Sequence, residues 1–399
     1  MALAFEGIRV LDFSQVLSGP YASGQLALQG AEVIKIERPG SGEQGRAYSV
    51  EKSGSPGTRV TGLFYSVNAD KRSLTLDLKR PEARAVLEKL LPETDVIIEN
   101  FKSGTMARLS LGYDWARSLR PDIIYCAITG YGQDGPRAGA PAYDHVIQAA
   151  SGAMSYNGHP DTGPMKCQYP VADIGTGMTA AFAIAAALLR RARTGEGQYL
   201  DVSMFDTLLH LQAQHLTNYL NAGAVPRLMG NGTVPNNPAS TIYPTRDGFI
   251  HVSLITQPQF ESLCRTLGLA DTLEDPRFAT GQDRIENREA LREVLVAALA
   301  GGSASDWEAR LSAAGVPAAA IATVAEVMAD PHVAHRALLA RVTGADGPVT
   351  VLNPAFQSPE TPASARHAPP AIGEHSDAIL GELGYDAEEI RGLRAAGVI

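Results

Sequence analysis

Short apolar runs and longer stretches with helical spacing alternate along the first half of the chain. The apolar runs are rich in isoleucine, valine and leucine, which is typical of buried strands. They occupy residues 8–12, 32–36, 95–98, 123–128 and 199–202. Because helical stretches lie between these runs, the pattern predicts a parallel sheet covered by helices.

The rest of the chain predicts a second, smaller folding unit. Residues 174–192 are apolar and alanine-rich and predict a buried helix, and a long helix over 204–220 leads away from it. A segment rich in glycine and asparagine, 229–237, then breaks the pattern. At 399 residues the chain exceeds what one compact core usually holds. We therefore expect an α/β protein with a Rossmann-like large domain and a smaller α+β domain. The expected boundaries are 1–205 for the large domain, 206–228 for a linker helix, 229–330 for the small domain and 331–399 for a return segment that completes the large domain.

Composition and charge exclude several classes of protein. The formal net charge of -9 argues against a general nucleic-acid surface. The 3 cysteines are scattered and form no CxxC pair, so neither a disulfide framework nor a zinc site is indicated. The longest uninterrupted apolar run, 178–189, is shorter than the roughly 20 residues that a membrane helix needs. No signal peptide is visible at the start. We expect a cytoplasmic protein with no membrane or nucleic-acid partner, no metal and no permanently bound cofactor.

Asp173 is the first candidate for chemistry. It follows an extended segment and is expected to cap a helix that contains Gly175 and Gly177. Free N–H groups and the helix dipole favour an ionised carboxylate there, and such a carboxylate can attack an activated acyl group. An ordinary capping role is the alternative. Residues 18–20 (SGP) do not make a dinucleotide fingerprint and predict a tight turn.

Basic residues near the ends of predicted strands are the second candidate. In a doubly wound sheet the carboxyl ends of the strands converge on a ligand crevice, so several cations together could bind a polyphosphate. Taken singly, each is an ordinary surface charge. They are Lys35, Arg38, Lys71, Arg72, Lys79, Lys102 and Arg108.

Short motifs rich in glycine and charged residues occur along the chain. The early and central motifs are 10–13 (VLDF), 18–20 (SGP), 31–40 (AEVIKIERPG), 70–74 (DKRSL), 98–101 (IENF) and 130–136 (GYGQDGP). The later motifs are 172–177 (ADIGTG), 193–198 (RTGEGQ) and 372–376 (IGEHS). In this order they resemble the motifs of the family III CoA-transferases (the formyl-CoA transferase and carnitine CoA-transferase, or CaiB/BaiF, group). The resemblance extends from near the N-terminus to the C-terminal tail.

The resemblance implies a reaction and a set of site residues. Asp173 would attack an acyl-CoA thioester and carry CoA to a carboxylic acid, and two chains would interlock as a homodimer. Coenzyme A would be a substrate, bound by Val16, Leu17, Arg38, Leu76, Asp77, Leu78, Lys79, Asn100, Phe101, Lys102, Arg108, Tyr143 and Asp144. The substrate-loop positions would be Gln15, Gly230, Asn231 and Gly232.

Two positions discriminate among relatives of this family. The α-methylacyl-CoA racemases would place a histidine at Tyr143, and a phenol is a poor base near neutral pH. Formyl-CoA transferases carry glutamine at Leu17, which argues against formate and oxalate as substrates here. We expect a CoA-transferase, with a dicarboxylate such as succinate as one acid. A racemase-like acyl-CoA isomerase and a non-catalytic CoA-binding protein remain the alternatives.

Overall fold

The computed structural model describes residues 2–51, 59–232, 237–344 and 347–399. Contacts between residues divide the chain into two compact units. The larger unit comprises Met1–Met154, Lys166–Val225 and His332–Ile399, and the smaller comprises Ser155–Met165 and Pro226–Pro331.

A six-stranded sheet forms the centre of the larger unit. All neighbouring strands are parallel, as the sequence predicted, and they lie in the order β6-β5-β4-β1-β2-β3. The strands are β1 (Arg9–Asp12), β2 (Glu32–Glu37), β3 (Lys71–Thr75), β4 (Val96–Glu99), β5 (Ile124–Thr129) and β6 (Gln198–Ser203). The edge strand β3 was not predicted, because its sequence begins Lys-Arg-Ser and only Leu74 gives an apolar signal.

The strands are apolar on both faces because both faces are covered. One core contains Leu11, Ile97 and Tyr125 and is shared with the C-terminal residues Leu380 and Val398. The opposite core contains sheet residues such as Val33 and Ile98 together with side chains of helices α1 (Ser18–Leu28) and α3 (Val171–Thr194). Helix α2 (Asp144–Ala150) contacts α3. The other helices of this unit are Gly62–Tyr65, Pro81–Leu90, Thr105–Arg108, Tyr113–Leu119, Met204–Leu211, Ala213–Ala222, Pro331–His335, Ser376–Glu382 and Ala387–Ala395.

Two helical predictions need correction. The helix expected over 206–228 is two helices, Met204–Leu211 and Ala213–Ala222, with Gln212 between them. Helix α3 was judged too short for a membrane because only its uninterrupted apolar run was counted. Its 24 residues would suffice by length and composition, and α3 is the one such helix among the residues described. In this unit it packs against α1, β5 and β6.

Helices α1 and α3 cross at close range because of one glycine. A Cβ on Gly177 would lie 2.7 Å from the backbone oxygen of Ser18 and 2.9 Å from the Tyr21 ring. Only a residue without a side chain allows this approach, so Gly177 brings the N-terminal part of α3 next to the first turn of α1.

The smaller unit has its own sheet and core. Strands β7 (Thr241–Pro244), β8 (Phe249–Val252) and β9 (Ala318–Ala320) are antiparallel. Tyr243, Phe260, Leu295 and Trp307 are among the residues of its core. Its helices are Gln257–Thr266, Ala270–Glu274, Gly281–Glu286, Arg288–Leu299, Ala304–Ala313 and Val324–Ala329. In the larger unit, strands β10 (Leu339–Gly344) and β11 (Gly347–Leu352) form a hairpin.

Residues 155–165, which the sequence analysis placed in the large domain, lie in the smaller unit. There the short strands Gly158–His159 and Gly163–Pro164 pair with each other. The Gly158 carbonyl accepts a hydrogen bond from the Gly230 amide at 2.9 Å. This pairing ties the segment to residues far along the chain, which no local sequence pattern indicates.

Candidate active site

Asp173 is the third residue of α3 and does not cap it, contrary to the sequence prediction. The helix begins at Val171, two residues earlier than Asp173, and Pro170 precedes it. The capping acceptor comes from another helix. One oxygen of Asp144, at the start of α2, accepts hydrogen bonds from the Ala172 amide at 2.7 Å and the Asp173 amide at 3.0 Å. Asp144 is buried, so a fixed carboxylate lies directly behind Asp173.

The expectation that the helix N-terminus favours an ionised Asp173 is also wrong in direction. Burial first, and then the charge of Asp144, raise the pKa of Asp173 to about 7, although a hydrogen bond from the Ser18 side chain acts to lower it. Asp144 also accepts the hydrogen bonds of the Ala172 and Asp173 amides, so these two N–H groups of the helix N-terminus are already taken by another carboxylate.

Asp173 opens onto a cavity of about 290 Å³, which we call the Asp173 cavity. Seven predicted CoA or substrate positions line it beside Asp173: Gln15, Val16, Leu17, Asn100, Phe101, Lys102 and Tyr143. Ser18, Tyr131 and Met204 also line it and were not predicted as site residues. Tyr143 is exposed at the edge of the cavity, with 64% of its surface accessible.

A second cavity of about 810 Å³, the Arg38 cavity, shares Gln15, Gln44 and Phe101 with the first. The predicted positions Arg38, Leu76, Asp77, Leu78 and Lys79 line it. Since the two cavities share lining residues, one extended ligand could occupy both of them.

Three cations around these cavities are free to meet an anion. Arg38, Lys79 and Lys102 are exposed, and none of them forms an ion pair with any residue in 2–51, 59–232, 237–344 or 347–399. Arg38 directly follows β2, and Lys102 follows β4 by three residues, as expected for residues at the carboxyl ends of parallel strands. The cavities are therefore electrostatically suited to a phosphorylated ligand.

The segment 14–17 lies between the two cavities and is held by hydrogen bonds from its backbone to the side chains of Asn100 and Glu43. The amide and carbonyl of Gln15 bond to the Asn100 side chain, each at 2.8 Å. Val16 has φ +67°, a left-handed conformation that is strained for a β-branched residue. Its amide donates to Glu43 at 2.9 Å, and that hydrogen bond holds the strained backbone in place. Nothing in the local sequence identified Glu43 as a supporting residue.

Three of the cations predicted to bind a polyphosphate lie in the interior or at the edge of the fold instead. Lys35 and Lys71 are fully buried around Asp12, and the Lys71 Nζ lies 3.0 Å from its carboxylate. Burial acts to raise the pKa of Asp12, but the two lysines, together with hydrogen bonds from Ser14 and Ser23, outweigh it and hold that pKa below its usual range. Arg72 forms ion pairs with Glu32 and Glu382. Lys71 and Arg72 begin β3, which puts them at the opposite end of the sheet from the crevice.

The remaining predicted positions lie outside these cavities. Arg108 is exposed at the end of the helix Thr105–Arg108 and donates to Thr105, while Thr105 itself lines the Arg38 cavity. Gly230, Asn231 and Gly232 belong to the smaller unit. Gly230 has φ +57°, and a Cβ there would lie 2.4 Å from the His159 ring. Within the described ranges, no group of three or more His, Cys, Asp or Glu side chains is arranged to hold a metal ion.

Comparisons with known proteins identify the family of the chain. The sequence model of CoA-transferase family III matches residues 5–376. The chain is 38% identical over 383 residues to the succinate–glutarate CoA-transferase of Agrobacterium fabrum (strain C58), covering 94% of this chain and 95% of that protein. It is 32% identical over 396 residues to the succinyl-CoA:glutarate CoA-transferase of Homo sapiens, covering 99% of this chain and 89% of that one.

A solved structure gives the same result for the fold. The crystal structure of a CAIB/BAIF family protein from Brucella suis aligns with a TM-score of 0.87 at 35% sequence identity, covering 96% of this chain and 100% of that one. Sequence and fold therefore match over nearly the whole length, and the chain belongs to CoA-transferase family III and is a CoA-transferase.

Proposed function

We propose that the enzyme moves CoA from succinyl-CoA to another short dicarboxylic acid, and that Asp173 carries the transferred group covalently. The observation that carries the covalent part is the position of the Asp173 carboxylate on a cavity that adjoins a second, cation-lined cavity. The choice of acids is supported by the names of the relatives, which specify succinate or succinyl-CoA and glutarate.

The proposed reaction begins with a carboxylate oxygen of Asp173 attacking the thioester carbonyl carbon. The C–S bond breaks and CoA leaves as a thiolate, with the donor acid held on Asp173 as a mixed anhydride. The thiolate then attacks the aspartyl carbonyl, which releases the donor acid and leaves CoA on Asp173 as a thioester. The acceptor carboxylate attacks that thioester to form a second anhydride. The released thiolate then takes the new acyl group, and the Asp173 carboxylate is regenerated.

The raised pKa of Asp173 suits this role. A carboxylate with a pKa of about 7 is more basic, and so more nucleophilic once ionised, than one with an ordinary pKa. Asp144 supports the same property, because its charge behind Asp173 is one of the two causes of the raised pKa. Asp144, predicted as a CoA-binding residue, then acts from behind the nucleophile and lines neither cavity.

Coenzyme A is proposed to extend across both cavities. Its phosphates would meet Arg38 and Lys79 in the Arg38 cavity, and its pantetheine arm would pass the segment 14–17. The thioester would then reach Asp173. Lys102, which lines the Asp173 cavity, is available to a phosphate or to the distal carboxylate of a dicarboxylate.

We also propose a homodimer, which the family resemblance implies. Apolar side chains on α3 and on the following helices are exposed in the single chain: Phe182 at 76%, Met178 at 58% and Leu220 at 77%. Apolar surface of this kind is typical of a protein interface. A second copy of the chain is the partner we propose for it.

The choice of acids is tested by screening a panel of acceptor acids. The enzyme is mixed with succinyl-CoA and one of a series of mono- and dicarboxylic acids, and new acyl-CoA products are measured by mass spectrometry. Rapid transfer to dicarboxylates of about the length of succinate and glutarate, and slow transfer to oxalate, formate and other monocarboxylates, is the expected result. Preferential transfer to monocarboxylates would contradict the proposed acids while leaving CoA transfer itself intact.

A second experiment separates transfer from isomerisation. The enzyme is incubated in heavy water with a single enantiomer of a 2-methylacyl-CoA. Tyr143 is an exposed phenol where the racemases would need a basic histidine, so we expect no rapid deuterium uptake at the α-carbon. Rapid uptake with little transfer to any acid would favour the isomerase.

A further inference from the structure

Gln148 is a buried glutamine on α2, one turn after Asp144, with 2% of its surface exposed. It lines neither the Asp173 cavity nor the Arg38 cavity. The nitrogen and the oxygen of its side-chain amide nevertheless both form hydrogen bonds with the elements that position Asp173. No ligand contact explains why a polar side chain is buried at this place.

The first contact of Gln148 is with Asp144. Its Nε2 donates to the Asp144 Oδ1 at 2.6 Å. The other oxygen of Asp144, Oδ2, accepts from the amides of Ala172 and Asp173. The Asp144 carboxylate is therefore held on one side by Gln148 and on the other by the first turn of α3.

The second contact is with the backbone of Cys167. The Cys167 amide donates to the Gln148 Oε1 at 2.8 Å, and the Gln148 Nε2 lies 3.3 Å from the Cys167 carbonyl oxygen. Cys167 is the second residue of the segment that returns to the larger unit at Lys166, and only three residues separate it from the start of α3 at Val171. One side chain thus ties down both the capping carboxylate and the backbone that leads into the helix.

We propose that Gln148 is a positioning residue of the transfer reaction. By holding both Asp144 and the segment 167–170, it determines the position of the Asp173 carboxylate in the Asp173 cavity. This inference rests on the proposed role of Asp173 as nucleophile. Removing the amide leaves buried polar groups on Asp144 and Cys167 without these partners, and the first turn of α3 loses its anchor. A displacement of about 1 Å at a reacting group can slow a reaction by about 100-fold.

The test compares Gln148→Leu with wild type and with Gln212→Leu. Gln212 is also a buried glutamine of the larger unit, and its Nε2 donates to the Leu208 carbonyl at 2.8 Å. Gln212→Leu therefore controls for the general cost of replacing a buried amide. We expect Gln148→Leu to slow the single-turnover formation of the enzyme–CoA thioester from succinyl-CoA by about 10- to 100-fold, with the dissociation constant for CoA changed by less than about threefold. The control should change neither quantity by more than about threefold.

Two results would overturn the inference. One is a single-turnover rate for Gln148→Leu equal to wild type. The other is equal losses in the Gln148 and Gln212 variants, which would reduce Gln148 to a general packing role. The two kinds of failure can be told apart. If the proposed function is wrong, the wild-type enzyme itself will not react with succinyl-CoA. If only this inference is wrong, the wild type will react, and the rate of Gln148→Leu will equal that of the wild type or of the Gln212 variant.

Hydrogen exchange gives a second measurement that needs no activity. The Ala172 and Asp173 amides are held by the carboxylate that Gln148 fixes, so a peptide covering 167–175 should exchange slowly in the wild-type protein. Gln148→Leu should speed its exchange, and so should Gln148→Glu, which keeps an acceptor for the Cys167 amide but replaces the donor to Asp144 with a second carboxyl group. If Gln148→Leu does not fold, Gln148→Glu takes its place in both assays. Exchange in the wild type as fast as in an unstructured peptide would contradict the inference.

Discussion

At the residue scale, the charge of Asp173 is the central feature of the site. Burial and the neighbouring Asp144 raise its pKa to about 7, and only the ionised carboxylate can attack a thioester. Since a raised pKa keeps the group protonated at lower pH, activity must rise as pH rises through about 7. We expect kcat/KM for acyl-CoA to increase about tenfold per pH unit below that value and to level off above it.

Glu99 has a raised pKa in the same range, so its effect on the pH profile has to be separated from that of Asp173. Burial, and to a lesser extent Asp201, raise the pKa of Glu99 to about 7 against the effect of the Phe101 amide. Glu99→Gln keeps an acceptor for that amide and removes the titration. The pH profile of this variant should retain its inflection near 7. A profile that is flat in the wild type, or that loses its inflection in Glu99→Gln, would contradict the assignment to Asp173.

The cations at the Arg38 cavity give another prediction at this scale. Arg38→Ala should raise KM for acyl-CoA by about 10-fold or more, because charge-assisted hydrogen bonds to phosphate contribute roughly 1.5–3 kcal/mol. KM for the free acid should change little. Arg117, exposed on the helix Tyr113–Leu119 and absent from both cavity linings, supplies the control Arg117→Ala. Equal changes in KM for both substrates would argue against phosphate binding by Arg38.

At the scale of secondary-structure elements, the crossing of α1 and α3 sets the distance between Ser18 and the first turn of α3. Gly177→Ala should lower the free energy of unfolding by about 1–3 kcal/mol, because its Cβ would meet backbone of α1 that cannot move aside. Gly381 lies in the helix Ser376–Glu382 with nothing within 4 Å of a Cβ, so Gly381→Ala should stabilise by about 0.5–1 kcal/mol. Urea unfolding measures both. A Gly177→Ala variant as stable as wild type would show that the two helices separate freely.

The elements also show what the sequence could predict. Strands such as β4 and β5 are continuous apolar runs because they are buried on both faces, and that signal is local. Strand β3 lacked the signal, since Lys71 and Ser73 are buried through partners that lie elsewhere in the chain. The start of α3 was misplaced for a similar reason, because its cap is Asp144 in another helix.

The site itself was predictable only where a motif carried it. Asp173 and the lining of the two cavities followed from the family motifs, and the structure places most of those residues around the cavities. The supporting residues Glu43 and Gln148 were not predictable, because each acts through a hydrogen bond to a residue distant in the sequence. Lys35 and Lys71 looked like crevice cations until their burial around Asp12 was visible.

At the scale of the whole molecule, the exposed apolar face of α3 predicts self-association. Phe182→Asp places a charge on that face and should shift the protein toward the monomer, measured by light scattering after size-exclusion chromatography. Leu119→Asp adds the same charge at a partly exposed residue of the helix Tyr113–Leu119 and serves as the control. A wild-type protein that is monomeric at micromolar concentration would contradict the proposed dimer.

The measurement that tests the central claim most directly is the mass of the enzyme after brief mixing with succinyl-CoA and acid quenching. We predict a covalent species heavier than the free enzyme by CoA minus water, located by peptide mapping to Asp173, and absent in Asp173→Asn, which should still bind CoA. Transfer of CoA by a protein that shows no adduct at Asp173, together with near-normal activity of Asp173→Asn, would contradict the account.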